Sequence, residues 1–261
     1  MIYRWLNGVE AHLDDWNVTW EGYGPEWKTR AYRLPGEVEY NPIGVMNHHT
    51  ASTSWYPKDK LIYSCNFYVD PAGKVWIMGL GYQRDSGSGD PAVLERIRKG
   101  EPVGKPMDYL VSQRINGNPY FIDIEVGHPG DGSEIPQVQR DALLHLNAAL
   151  ISYLKADVKT ALIGHDEWTR RKIDPEWSYK GKPDSMEYIR RDTVTLLEGG
   201  MPRKQFENMV KALFVGRPDE FKGNPAYFYS NVADGGIYDD PENVDWINFW
   251  NSFVDVIAGG A

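Results

Sequence analysis

Tyr120-Phe121-Ile122-Asp123-Ile124-Glu125-Val126 is a β-prone run interrupted by two carboxylates. Side chains alternate along a strand, so Asp123 and Glu125 share one face. Two like charges on one strand face are costly unless a cation waits there. Upstream, Pro42–His49 (PIGVMNHH) is a short apolar run ending in polar residues, which suits a buried strand whose end opens onto a pocket. Cys65–Val69 and Lys74–Met78 flank Asp70-Pro71-Ala72-Gly73 and predict a hairpin. Downstream, Pro136 opens a helix through Lys155 whose Val138, Ala142, Leu146, Leu150 and Leu154, four apart, read as the core stripe, with His145 on its surface. Thr160–Gly164 predicts a short strand that delivers His165 to its end, ahead of the basic loop DEWTRRKIDPEW, and Ser185–Leu197 predicts another helix. Strands alternating with helices predict an α/β fold: a mixed central β-sheet flanked by helices, with the chemistry at the strand ends.

The remaining segments are less regular. Residues 1–41, rich in Trp, Tyr, Gly and Pro, read as loops and short elements around the core. Residues 79–118 (GLGYQRDSGSGD and a charged ERIRKGE run) read as a surface excursion with one short helix, because their Gly-x-Gly pairs lack the strand, third glycine and helix of a dinucleotide site. Gly199-Gly200-Met201-Pro202 marks a boundary between residues 1–200 and a C-terminal extension, 201–261. That extension holds 11 aromatics and, from Asp219 onward, eight acidic residues against one Lys, which makes it stickier and more acidic than what precedes it. Helices over Arg203–Val215 and Val244–Ile257, and a hairpin over Asn224–Tyr238, are expected there. Packing or a small accessory subdomain is favoured over an independent wall-binding module, because no flexible linker precedes it.

Charge and cysteine usage narrow the function. With 28 Lys plus Arg against 37 Asp plus Glu, the net charge of -9 argues against affinity based on neutralising phosphates, so nucleic acid is not an expected partner. A single cysteine, Cys65, allows no internal disulfide and no thiolate cluster, and is assigned to buried packing. Any metal must therefore be held by His and carboxylate. No basic segment followed by an apolar run opens the chain, and no stretch of 18 apolar residues occurs, so synthesis in the cytoplasm without a signal peptide and no membrane insertion are expected.

A catalytic zinc uses three protein ligands and leaves a position for water. His48 and His165 each follow an apolar strand, and Asp174 lies nine residues beyond the second histidine, in a loop long enough to turn back to it. On spacing alone, such a set does not separate a metal site from polar residues satisfied by their surroundings.

The neighbouring motifs add to it. Asn47-His48-His49-Thr50-Ala51-Ser52, Ser64–Val75, Ile122-Asp123-Ile124-Glu125, Gly164-His165-Asp166-Glu167 and Lys172-Ile173-Asp174-Pro175 occur in that order. Over about residues 40–198 they resemble the zinc-dependent N-acetylmuramoyl-L-alanine amidase family, shared by T7 lysozyme-type amidases, bacterial recycling amidases and peptidoglycan recognition proteins, and look most like a phage endolysin catalytic domain. The resemblance implies Zn2+ as cofactor, His48, His165 and Asp174 as its ligands, Glu125 as general base and Lys172 as oxyanion stabiliser. His49 in place of His48 is the alternative register. The tyrosine that one subgroup carries on the hairpin strand is answered here by Cys65, which makes the Glu125 subgroup the better template; Tyr63 and Tyr68 are poor substitutes by position.

The implied activity is hydrolysis of the amide between N-acetylmuramic acid and L-alanine in bacterial peptidoglycan, serving host lysis by a phage, by a monomer acting on the cell wall. A non-catalytic peptidoglycan-binding module and a zinc peptidase acting on the stem peptide are the competing expectations.

Overall fold

Branched and aromatic residues dominate the longer strands of the set Trp20–Gly22 (β1), Gly44–His49 (β2), Phe67–Val69 (β3), Val75–Ile77 (β4), Ser88–Gly89 (β5), Ile115–Asn116 (β6), Phe121–Val126 (β7) and Leu162–Gly164 (β8), β3, β4 and β7 above all. They come from a computed structural model that describes residues 2–52, 58–182 and 185–199. Six of them form one sheet in the order β1-β4-β3-β7-β2-β8, while β5 and β6 pair separately. The β3–β4 hairpin is antiparallel, and the other pairs of the large sheet are parallel, so the sheet is mixed as expected. The Asp70 carboxylate fixes the hairpin turn by accepting bonds from the Ala72 and Lys74 amides and from the Trp76 indole.

Every residue of the central strand β7 is buried, as in a parallel strand covered on both faces, so simple alternation of polar with apolar residues fails there. The helices are Val9–Asp15 (α1), Pro91–Lys99 (α2), Gln137–Leu154 (α3), Val158–Ala161 (α4), His165–Trp168 (α5) and Ser185–Gly199 (α6). Leu143, Leu146 and Leu150 of α3 join Val45, Met46, Ile122, Ile124 and Ile163 of the sheet in a single core. Truncating one of these leucines to Ala is expected to cost about 2–5 kcal/mol through lost burial and a residual cavity.

Several local expectations are corrected. The predicted α3 stripe drifts: a spacing of four overshoots the 3.6-residue turn by about 40° per step. Val138 is consequently 53% exposed, and Gln139, Leu143, Leu146, Asn147 and Leu150 form the buried face. Residues 1–41 supply α1 and the edge strand β1, and His145 of α3, expected on the surface, is tied through Nδ1 to the Trp16 carbonyl at the end of α1 (2.6 Å). Thr160 and Ala161 belong to the turn of α4, and only Leu162–Gly164 is strand. Residues 79–118 are not merely a surface excursion, because Tyr82, Gln83, Ser86, Asp90 and Asp108 are buried. The elements expected beyond residue 200 lie outside the described residues. No helix among the described residues is long and apolar enough to cross a membrane.

Candidate metal centre

β2, β7 and β8 run parallel, so their carboxyl ends share one edge of the sheet. His48 lies one residue from the end of β2, opposite Glu125 of β7 in register. His165 directly follows β8 as the first residue of α5. Asp174 is returned to this edge by a loop whose closing bond runs from the Asp166 amide to the Asp174 carbonyl (2.8 Å).

The three side chains converge on one point. His48 Nδ1 and His165 Nδ1 are 2.9 Å apart, and Asp174 Oδ2 lies 3.1 Å from the first and 3.0 Å from the second. All three residues are buried. Ring orientation decides what they offer. His165 Nε2 faces the Ser86 carbonyl (3.1 Å), which only accepts, so Nε2 carries the proton and the Nδ1 lone pair of the neutral ring points inward. His48 Nε2 likewise faces Asp123 Oδ1 (3.1 Å), which is itself held by the Ser86 hydroxyl (2.5 Å). Two imidazole lone pairs and a carboxylate oxygen in mutual contact repel one another unless a cation sits among them. This donor set fits a divalent metal, and the outer acceptors Asp123 and Ser86 fix the ligand tautomers.

The surrounding charges make the same demand. Burial works against a charge on His48, but Asp85, Asp123 and Asp174 outweigh it and raise its pKa well above the ordinary imidazole value. Burial also pushes Asp174 up, yet its bonds to His165 and His48 hold it far below the carboxylate range. His165 is lowered by burial and by His48. Glu125 is pushed well above the usual range by burial, then by the adjacent Asp85, against the pull of His48. Its Oε2 is buried without a hydrogen-bond partner. A carboxyl that is dry and next to the cluster is suited to proton transfer.

Of the residues singled out in the sequence, His48, His165 and Asp174 are brought together and Glu125 stands beside them. Lys172 is exposed, its side chain near enough to lower the His49 and His165 imidazoles electrostatically. His49 is outside the triad: its Nδ1 accepts the Glu176 amide (2.9 Å), and its ring lies against Gly130. Cys65 is buried with Leu61, Tyr68 and Met78, which suits packing, whereas Tyr63 is 43% exposed.

Asp85 and Ser86 were missed in the sequence. Their segment carries the signature of a loop, and nothing local marks it as a wall of the centre. The Glu167 carboxylate, another omission, accepts the Gly164 amide (2.9 Å) and a bidentate pair from Arg190 (2.8 Å each), which braces the turn carrying His165 from α6.

No curated protein matches the chain. Among solved structures it is similar to the endolysin N-acetylmuramoyl-L-alanine amidase LysCS from Clostridium intestinale URNW (14% identity, TM-score 0.38, covering 66% of this chain and 93% of that one). It is also similar to the PlyG catalytic domain (14% identity, TM-score 0.38, 70% and 94%). The Amidase_2 profile, N-acetylmuramoyl-L-alanine amidase, matches residues 39–177, a span that contains β2, β7, β8 and every member of the His-His-Asp cluster. The chain belongs to the N-acetylmuramoyl-L-alanine amidase family.

Proposed function

We propose that the chain is a zinc-dependent peptidoglycan hydrolase that cleaves the amide between N-acetylmuramic acid and L-alanine. The observation that carries this reading is the contact triangle of His48 Nδ1, His165 Nδ1 and Asp174 Oδ2 beside the buried Glu125. Zinc bound there would acidify a water and polarise the scissile carbonyl. Glu125 would take a proton from the attacking water and return it to the leaving nitrogen. Lys172 would meet the negative charge that grows on the carbonyl oxygen, an interaction stronger in the transition state than before it. Asp123 and the Ser86 carbonyl keep both imidazoles turned inward throughout.

Lysis of a bacterial host by a phage, on the cell-wall side, is the role proposed for this activity. Residues 201–261 are proposed to form an accessory extension to the catalytic region, 1–200. The test is to measure zinc stoichiometry by mass spectrometry together with release of L-alanine amino groups from purified walls. One zinc per chain and new amino termini on L-alanine are expected; soluble stem-peptide fragments with the muramoyl link intact would overturn the reading in favour of a peptidase.

A further inference from the structure

Five of the ten exposed large apolar side chains among the described residues lie in two adjoining stretches, Met107, Tyr109, Leu110 and Val111 in one and Ile173 in the other. Val111, at 77% exposure, is the most exposed of the ten. Scattered singly, such residues mean little, but gathered together they mark an interaction surface. The main chain beneath them is held in place. Buried Asp108 accepts from the Thr169 hydroxyl (2.6 Å) and the Arg170 amide (3.0 Å), and Asp90 Oδ2 accepts the Met107 amide (2.6 Å). The two stretches are thereby tied side by side, and the Arg170 guanidinium stands 4.2 Å from the centre of the Tyr109 ring.

Charge follows the apolar residues. Lys105, Arg170, Arg171 and Lys172 are exposed here, whereas residues 102–113 and 168–173 contain a single carboxylate, Asp108, which is buried. This cationic face belongs to a chain whose formal net charge is -9. Its shape narrows the partner further. Residues 109–113 are all exposed, the polar Ser112 and Gln113 of the turn Val111–Gln113 included, so the apolar side chains stand on a projecting loop and line no groove. A protein partner would need a pocket cut to that projection, but a fluid hydrocarbon boundary accepts it in any shape, and anionic headgroups match the cations around it. Met107, Leu110 and Val111 offer a sugar neither a flat ring nor a hydrogen bond, and one face of Tyr109 is taken by Arg170, which disfavours glycan.

We infer that the loop of residues 105–113, with Arg170 and Arg171 beside it, docks this chain peripherally on an anionic lipid surface. Leu110 and Val111 enter the headgroup boundary, and Lys105, Arg170 and Arg171 meet the lipid phosphates. The charge of the whole chain opposes approach from afar, but it is screened beyond about 8 Å at physiological ionic strength, so the local cations govern contact. The docking needs no membrane-crossing segment and does not depend on the amidase reading.

The experiment sediments the full chain with vesicles of phosphatidylcholine alone and of phosphatidylcholine and phosphatidylglycerol in a two-to-one ratio. Binding to the anionic vesicles and not to the neutral ones is expected. L110S/V111S and, separately, K105E/R170E should each lower the partition coefficient about 10-fold or more, with Tm unchanged because all four side chains are exposed. No binding to anionic vesicles, equal binding to neutral ones, or full binding by either double variant overturns the inference. Retained binding by L110S/V111S would reduce the face to a contact of charge alone. A concentration-dependent dimer in light scattering, or binding to soluble wall fragments, that L110S/V111S abolishes in the absence of vesicle binding assigns the face to a second copy or to the substrate, and overturns it as well.

Discussion

His48 Nδ1 and His165 Nδ1, 117 residues apart in sequence, stand 2.9 Å from each other with both Nε2 atoms already engaged elsewhere. Neither ring can turn to relieve the contact without losing its outer bond, so the two lone pairs are held ready for a cation.

Zinc is therefore expected to stabilise the fold. At a free concentration 100 times its Kd it would add about 2.7 kcal/mol, a Tm rise of roughly 5–10 °C for a domain of this size. Calorimetry before and after chelation checks this, and D174A should abolish the zinc-dependent part. An unchanged Tm on chelation of a zinc-loaded sample would count against the site.

Asp123→Asn replaces an acceptor of the His48 Nε2 proton by a group that can present a donor, while keeping shape. Zinc affinity is expected to fall about 10–100-fold, as for other outer partners of ligating histidines, with the fold retained. Competition against a chromophoric chelator reads the change.

Glu125→Gln removes the proton acceptor beside the triad but leaves the three proposed ligands. Wall hydrolysis should drop about 10²–10⁴-fold with zinc content unchanged. Loss of zinc together with activity would assign Glu125 to holding the metal instead.

How far the sequence reached follows from these residues. The two histidine candidates were legible because each closes a short apolar strand, and parallel strands beside one another must bring such ends to one edge; Asp174, carried by a loop, was reached through its spacing from His165 and the motif around it. Glu125 was visible as a carboxylate on a strand otherwise fit for burial. Asp85 and Ser86 were not, because their contributions depend on loop placement and on a main-chain carbonyl, neither of which leaves a periodic trace, and the bracing role of Glu167 was hidden because its partner Arg190 lies on a different helix. The α3 stripe failed for a different reason: a four-residue spacing is close enough to the helical repeat to look right locally and wrong enough to walk around the helix.

Asp108 joins the 103–114 segment to the approach to Asp174, accepting from the Thr169 hydroxyl (2.6 Å) and the Arg170 amide (3.0 Å) and pairing with Arg114 (3.2 Å). Burial pushes this carboxyl up, but the Arg170 amide, the Thr169 hydroxyl and Arg114 prevail and hold it below its usual range. A depressed native pKa means stability present above the unfolded value, near 3.9, and lost as pH falls through the native one. Urea unfolding between about pH 5 and 2 should show this slope, and D108N should reduce it while costing about 3 kcal/mol near neutrality through the broken buried pair.

Arg190→Lys cannot reproduce the two-pronged grip on Glu167. A lower Tm is expected, together with weaker zinc binding, because the turn bearing His165 loses its brace from α6. A lower Tm with unaltered zinc affinity would confine Arg190 to scaffolding.

The Ser86 carbonyl, which orients His165, belongs to the main chain. Replacement of the Ser86 side chain therefore leaves that acceptor in place, and costs instead the hydroxyl that holds Asp123 against the first imidazole. Among homologues, the second imidazole should stay correctly aimed where side-chain identity in this stretch has been scrambled, and go astray where an insertion or deletion has rerouted it.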